Sequence, residues 1–280
     1  MFLDFLKAIV FGIVEGITEW LPVSSTGHLI LLGDLLAFKT TSPNFFNVFD
    51  VVVQLGAVIA VLIIYWNRVW PFRKNGEVLG IMDKPKFDLW VKIAIACLPS
   101  VIVGLLFEDK INAVFYNSVT VAIMLILVGV AFIVIENKNK GKRPLVRSVN
   151  KISYQAALII GLFQVIAAVF PGTSRSGATI VGALLIGISR TAAAEFTFFL
   201  AIPVMFGASL LKLFKYGLAF SFGEFFLLIV GMAVAFAVSL FFISFFVNYI
   251  KKHNFKIFGY YRILLGIIVL LVAAIRAIAA

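Results

Sequence analysis

Six apolar stretches stand out in the hydrophobic pattern of the chain. A helix that crosses a bilayer needs roughly 20 mostly apolar residues, and six stretches meet that length: 45–66, 91–108, 118–136, 191–212, 224–247 and 257–279. The pattern therefore predicts six transmembrane helices.

Two further apolar regions, 1–36 and 153–190, are each interrupted near the middle by a polar loop that contains proline and glycine. The halves of each region are too short or too polar to cross a bilayer alone. Non-helical backbone is tolerated in hydrocarbon only where protein or a water-filled cavity surrounds it. The sequence therefore predicts two re-entrant helix–loop–helix hairpins in an all-α polytopic membrane protein.

The two interrupted regions resemble each other at a constant offset of 149 residues. The matching pairs are Gly12 with Gly161, Glu15 with Gln164, Pro22 with Pro171, and Ser25 with Ser174. Three predicted spans, an odd number, separate the hairpins, so the second copy enters from the opposite side. An inverted repeat of this kind brings its two loops together near the bilayer midplane.

This repeat sets the domain organisation. We expect a single membrane domain over 1–280, in which the first repeat is followed by a basic linker and the second repeat: about 1–136, 137–152 and about 153–280.

Composition and charge agree with a membrane protein and fix its orientation. Hydrophobic residues make up 62% of the chain, charged residues make up 13%, and the mean hydropathy is +1.11. The net charge of +11 comes from Lys and Arg in short loops, with five in 67–90, six in 137–152 and three in 248–256, against one each in 109–117 and 213–223. Basic loops stay in the cytoplasm, so both termini are predicted outside, and nucleic-acid binding is not expected. This orientation is the same whether the hairpins re-enter or span, so charge does not test re-entry.

The first polar loop, EGITEWLPVSSTGHL, carries two carboxylates, Glu15 and Glu19, four residues apart on one helical face. Ionisable groups inside a membrane are candidates for function because they are costly there. On the next span, Asp50 and Gln54 are also four apart. We expect these two to face the same cavity, although an ordinary interhelical hydrogen bond explains them equally well.

Both loops then place hydroxyl residues where a helix begins. A proline precedes the run Ser24, Ser25 and Thr26 in the first loop, and PGTSRSGAT in the second adds an arginine to the same pattern: Ser174, Arg175, Ser176 and Thr179. Helix N-termini offer unpaired N–H groups and a positive dipole end to anions. A guanidinium binds oxyanions through paired hydrogen bonds. Together these features predict a phosphate site.

Two carboxylates beside a phosphate repel it unless a cation or a proton intervenes. Mg²⁺ and Ca²⁺ prefer oxygen ligands, so Glu15 and Glu19 are candidate ligands of a divalent cation, and protonation of one glutamate is the open alternative. His28 follows Ser25 by three residues and could reach its hydroxyl as a general base. A purely structural role for His28 as a cap of the loop is the other reading.

The motifs EGITEWLPVSSTGH and PGTSRSGAT resemble the two signatures of the BacA-type undecaprenyl-diphosphatases, and the similarity covers nearly the whole chain. Trp20 stands where that family often has Phe. The resemblance implies six spans with two re-entrant hairpins in the bacterial inner membrane. It also implies hydrolysis of undecaprenyl diphosphate to the monophosphate carrier of cell-wall synthesis, with bacitracin resistance, at a site open to the outer face.

By motif position, the resemblance also assigns roles to residues: Glu15 and Glu19 as the acidic pair, Ser25 as candidate nucleophile, His28 as the histidine and Arg175 as the phosphate-binding arginine. We expect the other loop hydroxyls to bind the diphosphate, and Gln54 and Gln164 to line the cavity. A covalent phosphoserine and direct attack by water both remain open.

Two other functions share features with this sequence. A second lipid phosphatase family also has Gly-His and Ser-Arg motifs, but its chemistry needs a histidine nucleophile after Ser-Arg, and the remaining histidine here is His253 in a basic loop. A transporter would also use broken helices in an inverted repeat, and lipid flipping could coexist with catalysis. Gly12 and Gly16 form a small-residue pair that could pack helices within one chain or in a homodimer.

Overall fold

The computed structural model describes residues 2–42, 44–72, 83–216 and 220–279, and they form eleven α-helices and one short 3₁₀ helix, Val149–Lys151. The α-helices are α1 (Phe2–Thr18), α2 (Ser25–Leu35), α3 (Phe45–Ile64), α4 (Trp66–Val69), α5 (Lys84–Phe115), α6 (Ser118–Lys138), α7 (Tyr154–Val169), α8 (Arg175–Leu185), α9 (Arg190–Tyr216), α10 (Phe222–Lys252) and α11 (Lys256–Ala279).

The six predicted spans are confirmed as the six helices among the described residues that are long and apolar enough to cross a membrane: α3, α5, α6, α9, α10 and α11. Helix α5 extends beyond the predicted span 91–108 at both ends. Its added turns carry charged residues, which a hydropathy window excludes but a helix accommodates. Arg73 and Lys74 of the basic loop 67–90 lie outside the described residues.

The two interrupted regions form the helix pairs α1–α2 and α7–α8. In each pair, the segment that follows the second helix lies beside the segment where the first helix begins. At the start of α1, Asp4 accepts hydrogen bonds from the backbone N–H groups of Lys39 and Thr40, which follow α2. In the second pair, Val146 of the linker that precedes α7 bridges to Ile188, which follows α8. A re-entrant hairpin requires this geometry, and its insertion into the bilayer stays a prediction.

Each hairpin packs on a helix from the other half of the chain. The first hairpin packs its α1 on α10 of the second half, and the second hairpin packs its α7 on α5 of the first half, while α6 packs on α11. Glycine permits both hairpin contacts. A Cβ atom on Gly12 would lie 2.7 Å from the Gly231 carbonyl oxygen, and one on Gly161 would lie 2.4 Å from that of Ala96.

The small-residue pair Gly12 and Gly16 is therefore used within the chain. Gly16 also faces α10, where its Cβ would lie 2.8 Å from the Ala235 carbonyl oxygen. Packing of α1 on α10 explains this pair fully, and the homodimer stays a prediction with no surface assigned to it.

The predicted register of the repeat is wrong by one residue at the helix starts. Ser24 caps α2 and Ser174 caps α8, and both have a positive φ, 76° and 67° respectively. One more residue separates Pro171 from its cap than separates Pro22 from its cap. The counterpart of Ser25 is therefore Arg175, 150 residues later, and not Ser174.

Candidate active site

Both polar loops end in a serine cap of the same design. The Ser24 hydroxyl oxygen accepts a hydrogen bond from the Gly27 N–H at 3.3 Å, and that of Ser174 accepts one from the Gly177 N–H at 3.2 Å. A non-glycine residue with positive φ is strained, by about 1 to 3 kcal/mol. The two helices therefore begin abruptly, with Ser25 and Arg175 as their first residues.

These two first residues meet at Glu19. The Ser25 hydroxyl donates to Glu19 Oε2 at 2.6 Å, and Arg175 Nη2 donates to Glu19 Oε1 at 2.8 Å. The other terminal nitrogen of Arg175, Nη1, donates to the Thr197 carbonyl oxygen on α9 at 2.8 Å. Glu19 is buried and Arg175 is partly buried, so this ion pair is screened less than one on the surface. The structure thus joins the two loops that the sequence predicted to meet.

A cavity of about 580 Å³ opens beside this chain of hydrogen bonds. Its polar lining comes from the loops and nearby helices: Glu19, Ser25, Thr26, Gln54, Ser100, Glu108, Gln164, Ser174 and Arg175. Its apolar lining comes mainly from α5 and α9: Val101, Gly104, Leu105, Val204, Met205, Gly207, Ala208 and Leu211. The cavity therefore has a polar part suited to phosphate and an apolar part suited to a hydrocarbon chain.

Three of the predicted phosphate-binding hydroxyls lie behind this lining. Ser24, Ser176 and Thr179 are buried. Ser176 donates to the Glu19 carbonyl oxygen at 3.4 Å, and Thr179 donates to the Arg175 carbonyl oxygen at 2.9 Å. In the structure these hydroxyls support the residues that face the cavity, and the prediction that they contact phosphate directly has no geometric support.

His28 bonds to groups other than Ser25, contrary to the predicted contact. Its Nδ1 lies 2.7 Å from the Ser24 carbonyl oxygen, which can only accept, so Nδ1 is the donor. Its Nε2 lies 2.7 Å from the Tyr261 hydroxyl, and the two rings stack. The Ser25 proton points to Glu19 instead. The sequence spacing permits a contact of His28 with either Ser24 or Ser25, because the preceding turn of a helix brings several groups within reach.

Glu15 is fully buried, and its two carboxylate oxygens have no hydrogen-bond partner among the described residues. It lies one helical turn before Glu19, and its carboxylate interacts electrostatically with Glu19, Asp50 and Arg175. A buried carboxylate without partners is costly. Glu15 is therefore the part of the site most in need of a proton or a cation.

The predicted lining residues Gln54 and Gln164 both reach the cavity. Gln164 Nε2 donates to Ser100 Oγ at 2.5 Å, whereas Gln54 Nε2 donates to the Asp50 carbonyl oxygen within its own helix at 3.2 Å. Asp50 has one carboxylate oxygen that is buried without a partner among the described residues.

Sequence reasoning missed Arg262. This residue lies within α11 and is completely buried, and its guanidinium donates to the Pro22 carbonyl oxygen of the first loop and to the Gly172 carbonyl oxygen of the second. A single arginine inside an apolar span was the available signal, because such a residue is a functional candidate by default.

The donor set fits a divalent cation only with help from substrate. The described residues contain no group of three or more His, Cys, Asp or Glu side chains placed to hold a metal. Both oxygens of Glu19 are bonded to Ser25 and Arg175, whereas both oxygens of Glu15 lack partners. Mg²⁺ commonly uses one or two carboxylates together with substrate phosphates, and Glu15 and Glu19 could supply the carboxylates.

Comparisons with known proteins agree over nearly the whole chain. The family model described as bacitracin resistance protein BacA matches residues 8–268. Three similar proteins are an undecaprenyl-diphosphatase 1 from Clostridium acetobutylicum and undecaprenyl-diphosphatases from Enterococcus faecalis and Desulfitobacterium hafniense. They are 58%, 56% and 56% identical to this chain over 96%, 98% and 98% of its length and over 97%, 99% and 98% of their own.

Proposed function

Because the chain belongs to the BacA family of bacitracin resistance proteins, we propose that the site between its two loops performs the undecaprenyl-diphosphatase reaction. The enzyme hydrolyses undecaprenyl diphosphate to undecaprenyl phosphate and inorganic phosphate. It thereby returns the lipid carrier to cell-wall synthesis and confers resistance to bacitracin.

The observation that carries this proposal is the hydrogen-bond chain Ser25–Glu19–Arg175. It joins a hydroxyl to a carboxylate at 2.6 Å and that carboxylate to a guanidinium at 2.8 Å, across two loops that are 150 residues apart in sequence. A hydroxyl hydrogen-bonded to a base is the arrangement of an activated nucleophile.

In the first step, we expect Glu19 to accept the Ser25 proton while Oγ forms a bond to the terminal phosphorus. The bond from that phosphorus to the bridging oxygen breaks, and undecaprenyl phosphate leaves. Water then attacks the phosphoserine, which releases inorganic phosphate and regenerates the serine. In the variant without a covalent intermediate, Glu19 activates water directly.

Arg175 stabilises the charge of the transferred group, because phosphoryl transfer depends mostly on positioning and charge stabilisation. Its side chain lines the cavity beside Glu19 and Ser25, so the guanidinium lies next to the space proposed for the phosphate. The N-termini of α2 and α8 contribute their positive dipole ends. When bound, a divalent cation held by Glu15, Glu19 and the phosphates would neutralise part of the negative charge.

We further propose that the enzyme lies in the bacterial inner membrane with both termini and the opening of the site on the outer face. The cavity reaches Glu108 near the end of α5, where Glu108 pairs with Lys215 of α9 at 2.5 Å. This end leads to the predicted loops 109–117 and 213–223, which are poor in basic residues, as expected for the outer face.

The experiment is phosphate release from a prenyl diphosphate in detergent, with and without a chelator followed by Mg²⁺ or Ca²⁺. We expect Arg175→Ala and Glu19→Gln to lower kcat by about a hundredfold or more, the usual range for removing a charge-stabilising or proton-accepting group. Arg147→Ala, in the exposed linker, is the control and should keep full activity. A folded wild-type protein that releases no phosphate under any of these conditions would refute the proposal.

The covalent route has its own test. Quenched reactions with substrate labelled in the terminal phosphate should place label on the wild-type protein and none on Ser25→Ala. A folded Ser25→Ala protein with full activity and no trapped label would exclude the phosphoserine and leave direct attack by water.

A further inference from the structure

Arg262 is a fully buried cation, and among the described residues its hydrogen-bond partners are backbone carbonyl oxygens. Nη2 donates to Gly172 and Thr173, both at 2.8 Å, Nη1 donates to Pro22 at 3.1 Å, and Nε donates to Leu125 at 3.4 Å. The ion pairs of the described residues do not include Arg262. Its positive charge is therefore balanced by carbonyl dipoles of both polar loops.

Stability alone does not explain an arginine at this position. A buried charge loses its hydration, and replacing buried ionic groups with apolar residues of similar size is often neutral or stabilising. The residues that follow directly on α11, Ile263, Leu264 and Leu265, are apolar, so the helix itself does not require a charge here. The hydrogen bonds of Arg262 therefore matter for the position of the backbone segments that accept them.

Three of the four accepting carbonyls lie just before the two strained caps, and the fourth, that of Leu125, lies in α6. Pro22 is two residues before Ser24, and Gly172 and Thr173 directly precede Ser174. Strained backbone persists only where the surrounding structure determines it. Arg262 supplies that restraint to both loops at once, and it also touches Gly177 in the first turn of α8, where an added Cβ would lie 3.1 Å from Nη1.

The residues directly after these caps are the ones that meet at Glu19. Ser25 follows Ser24, and Arg175 follows Ser174. A shift of either loop would separate Ser25 or Arg175 from Glu19. Misplacement of reacting groups by about 1 Å can cost about a hundredfold in rate, so a part that fixes both loops has direct consequences for catalysis.

We propose that Arg262 is a positioning residue that holds the two loops in a single register, so that the nucleophile from one loop and the phosphate-binding arginine from the other share Glu19. This inference rests on the proposed function only for its kinetic consequence. The hydrogen bonds from Arg262 to the two loops, called here the two-loop clamp, restrain the loops whether or not substrate is bound. Their effect can be measured without substrate.

The test compares wild type with Arg262→Lys and Arg262→Met. Lysine keeps the charge but loses the fork that reaches both loops, and methionine keeps much of the length but donates no hydrogen bond. Tyr260→Phe is the control, because Tyr260 lies two residues away on α11 with its side chain exposed. Each protein is checked for folding by its thermal unfolding transition in detergent.

The first readout is amide hydrogen exchange of peptides that cover residues 19–27 and 170–177. We expect exchange in Arg262→Lys to rise about tenfold or more in both segments, and no rise in Tyr260→Phe, since only the first variant loses charge-assisted hydrogen bonds to the loops. A rise in one segment alone, or in neither, would overturn the two-loop clamp. This result does not depend on whether the protein is a phosphatase.

The second readout is kinetic. We expect kcat to fall about tenfold to a hundredfold in Arg262→Lys and the inhibition constant for inorganic phosphate to rise, because the phosphate site itself is deformed. A loss of folded protein alone would lower kcat and leave that inhibition constant unchanged. Wild-type kcat and inhibition constant in folded Arg262→Lys would overturn the inference, and if Arg262→Met fails to fold, the lysine variant decides. Inactive wild type would refute the proposed function, while the exchange result would still judge the clamp.

Discussion

Ser25 and His28 lie on the same turn of α2, yet their side chains take different partners. Ser25 bonds to Glu19 at the cavity, while His28 joins the Ser24 carbonyl oxygen to Tyr261 of α11. His28 therefore acts in the structure as a link between the cap of α2 and α11, and Glu19 is the group placed to accept the serine proton.

A double-mutant cycle tests the link between His28 and Tyr261. Tyr261→Phe removes one hydrogen bond, and we expect kcat to fall by about fivefold, which corresponds to about 1 kcal/mol for a typical hydrogen bond. His28→Ala should cost more because it also releases the Ser24 carbonyl oxygen. In the Tyr261→Phe background, His28→Ala should cost about fivefold less than in wild type.

Independent, additive effects of the two substitutions would contradict this link. Normal activity of Tyr261→Phe together with an inactive His28→Ala protein would also contradict the link. That pair of results is expected if His28 acts as the base. Tyr260→Phe, on the same helix and exposed, controls for the loss of a tyrosine hydroxyl.

At the scale of single residues, polarity within an apolar sequence was the informative signal. It identified Glu19, Ser25 and Arg175, which the structure brings together. It did not identify Arg262, because one charge in an apolar span hardly changes the mean hydropathy of that span. Side-chain direction was also beyond the sequence, since the three-residue spacing of Ser25 and His28 permits a contact that neither residue makes.

At the scale of elements, the hairpins depend on close contacts between helix backbones. Gly161 of α7 lies against Ala96 of α5 with no room for a Cβ, whereas a Cβ on Gly104 of the same helix α5 would have no atom within 4 Å. These two glycines form a matched pair for measuring what the contact contributes.

We expect Gly161→Ala to lower the free energy of unfolding by about 1 to 3 kcal/mol, the usual range for overpacking, because the added methyl group must push α7 away from α5. Gly104→Ala should cause no loss. Thermal unfolding in detergent measures both. Equal midpoints for the two variants would show that α7 and α5 do not require this close approach.

The helices α5 and α9 also form the apolar wall of the cavity, where we expect the prenyl chain of the substrate to lie. A Cβ on Gly207 would have no atom within 4 Å, so space is open there. Gly207→Trp should fill part of this space and lower kcat/KM for a long prenyl diphosphate by about tenfold or more, since each buried CH₂ contributes about 0.8 kcal/mol.

Phosphate release from a short-chain diphosphate should be nearly unchanged in Gly207→Trp, and Gly207→Ala should behave like wild type with both substrates. Equal losses with the long and the short substrate would indicate that the tryptophan disturbs the polar site and that the chain takes another path.

At the scale of the whole molecule, the number and order of the spans were predictable because each is a long apolar run. The repeat was also visible, but its register was not, because one additional residue before Ser174 shifts the helix start without changing the spacing of the prolines. The packing of α1 and α7 on helices of the opposite half could not be predicted from one sequence. It follows from which apolar faces fit together.

Orientation and re-entry can be tested together by thiol labelling. In a Cys97→Ala background, which removes the single cysteine, Lys142→Cys in the linker should react with a small membrane-impermeant reagent only from the cytoplasm. Ser118→Cys, at the first residue of α6, should react only from outside. Thr26→Cys, in the first turn of α2 and lining the cavity, should react from outside as well.

Thr26→Cys that reacts from the cytoplasm would mean that the first hairpin crosses the membrane fully. Reversed labelling at Lys142 and Ser118 would invert the orientation and place the opening of the site on the cytoplasmic side. Phosphate release by each cysteine variant outside the site confirms that the labelled protein is native.

The packing of each hairpin on a helix of the other half bears on how such a molecule could arise. Each half buries its hairpin against a helix that the other half provides, so a chain of half this length would leave one face of its hairpin uncovered. It could cover that face only by pairing with a second copy inserted upside down. An ancestral gene of half the length would thus have encoded an antiparallel pair of identical subunits, and fusion would have freed the two copies to diverge into one that carries the serine and one that carries the arginine.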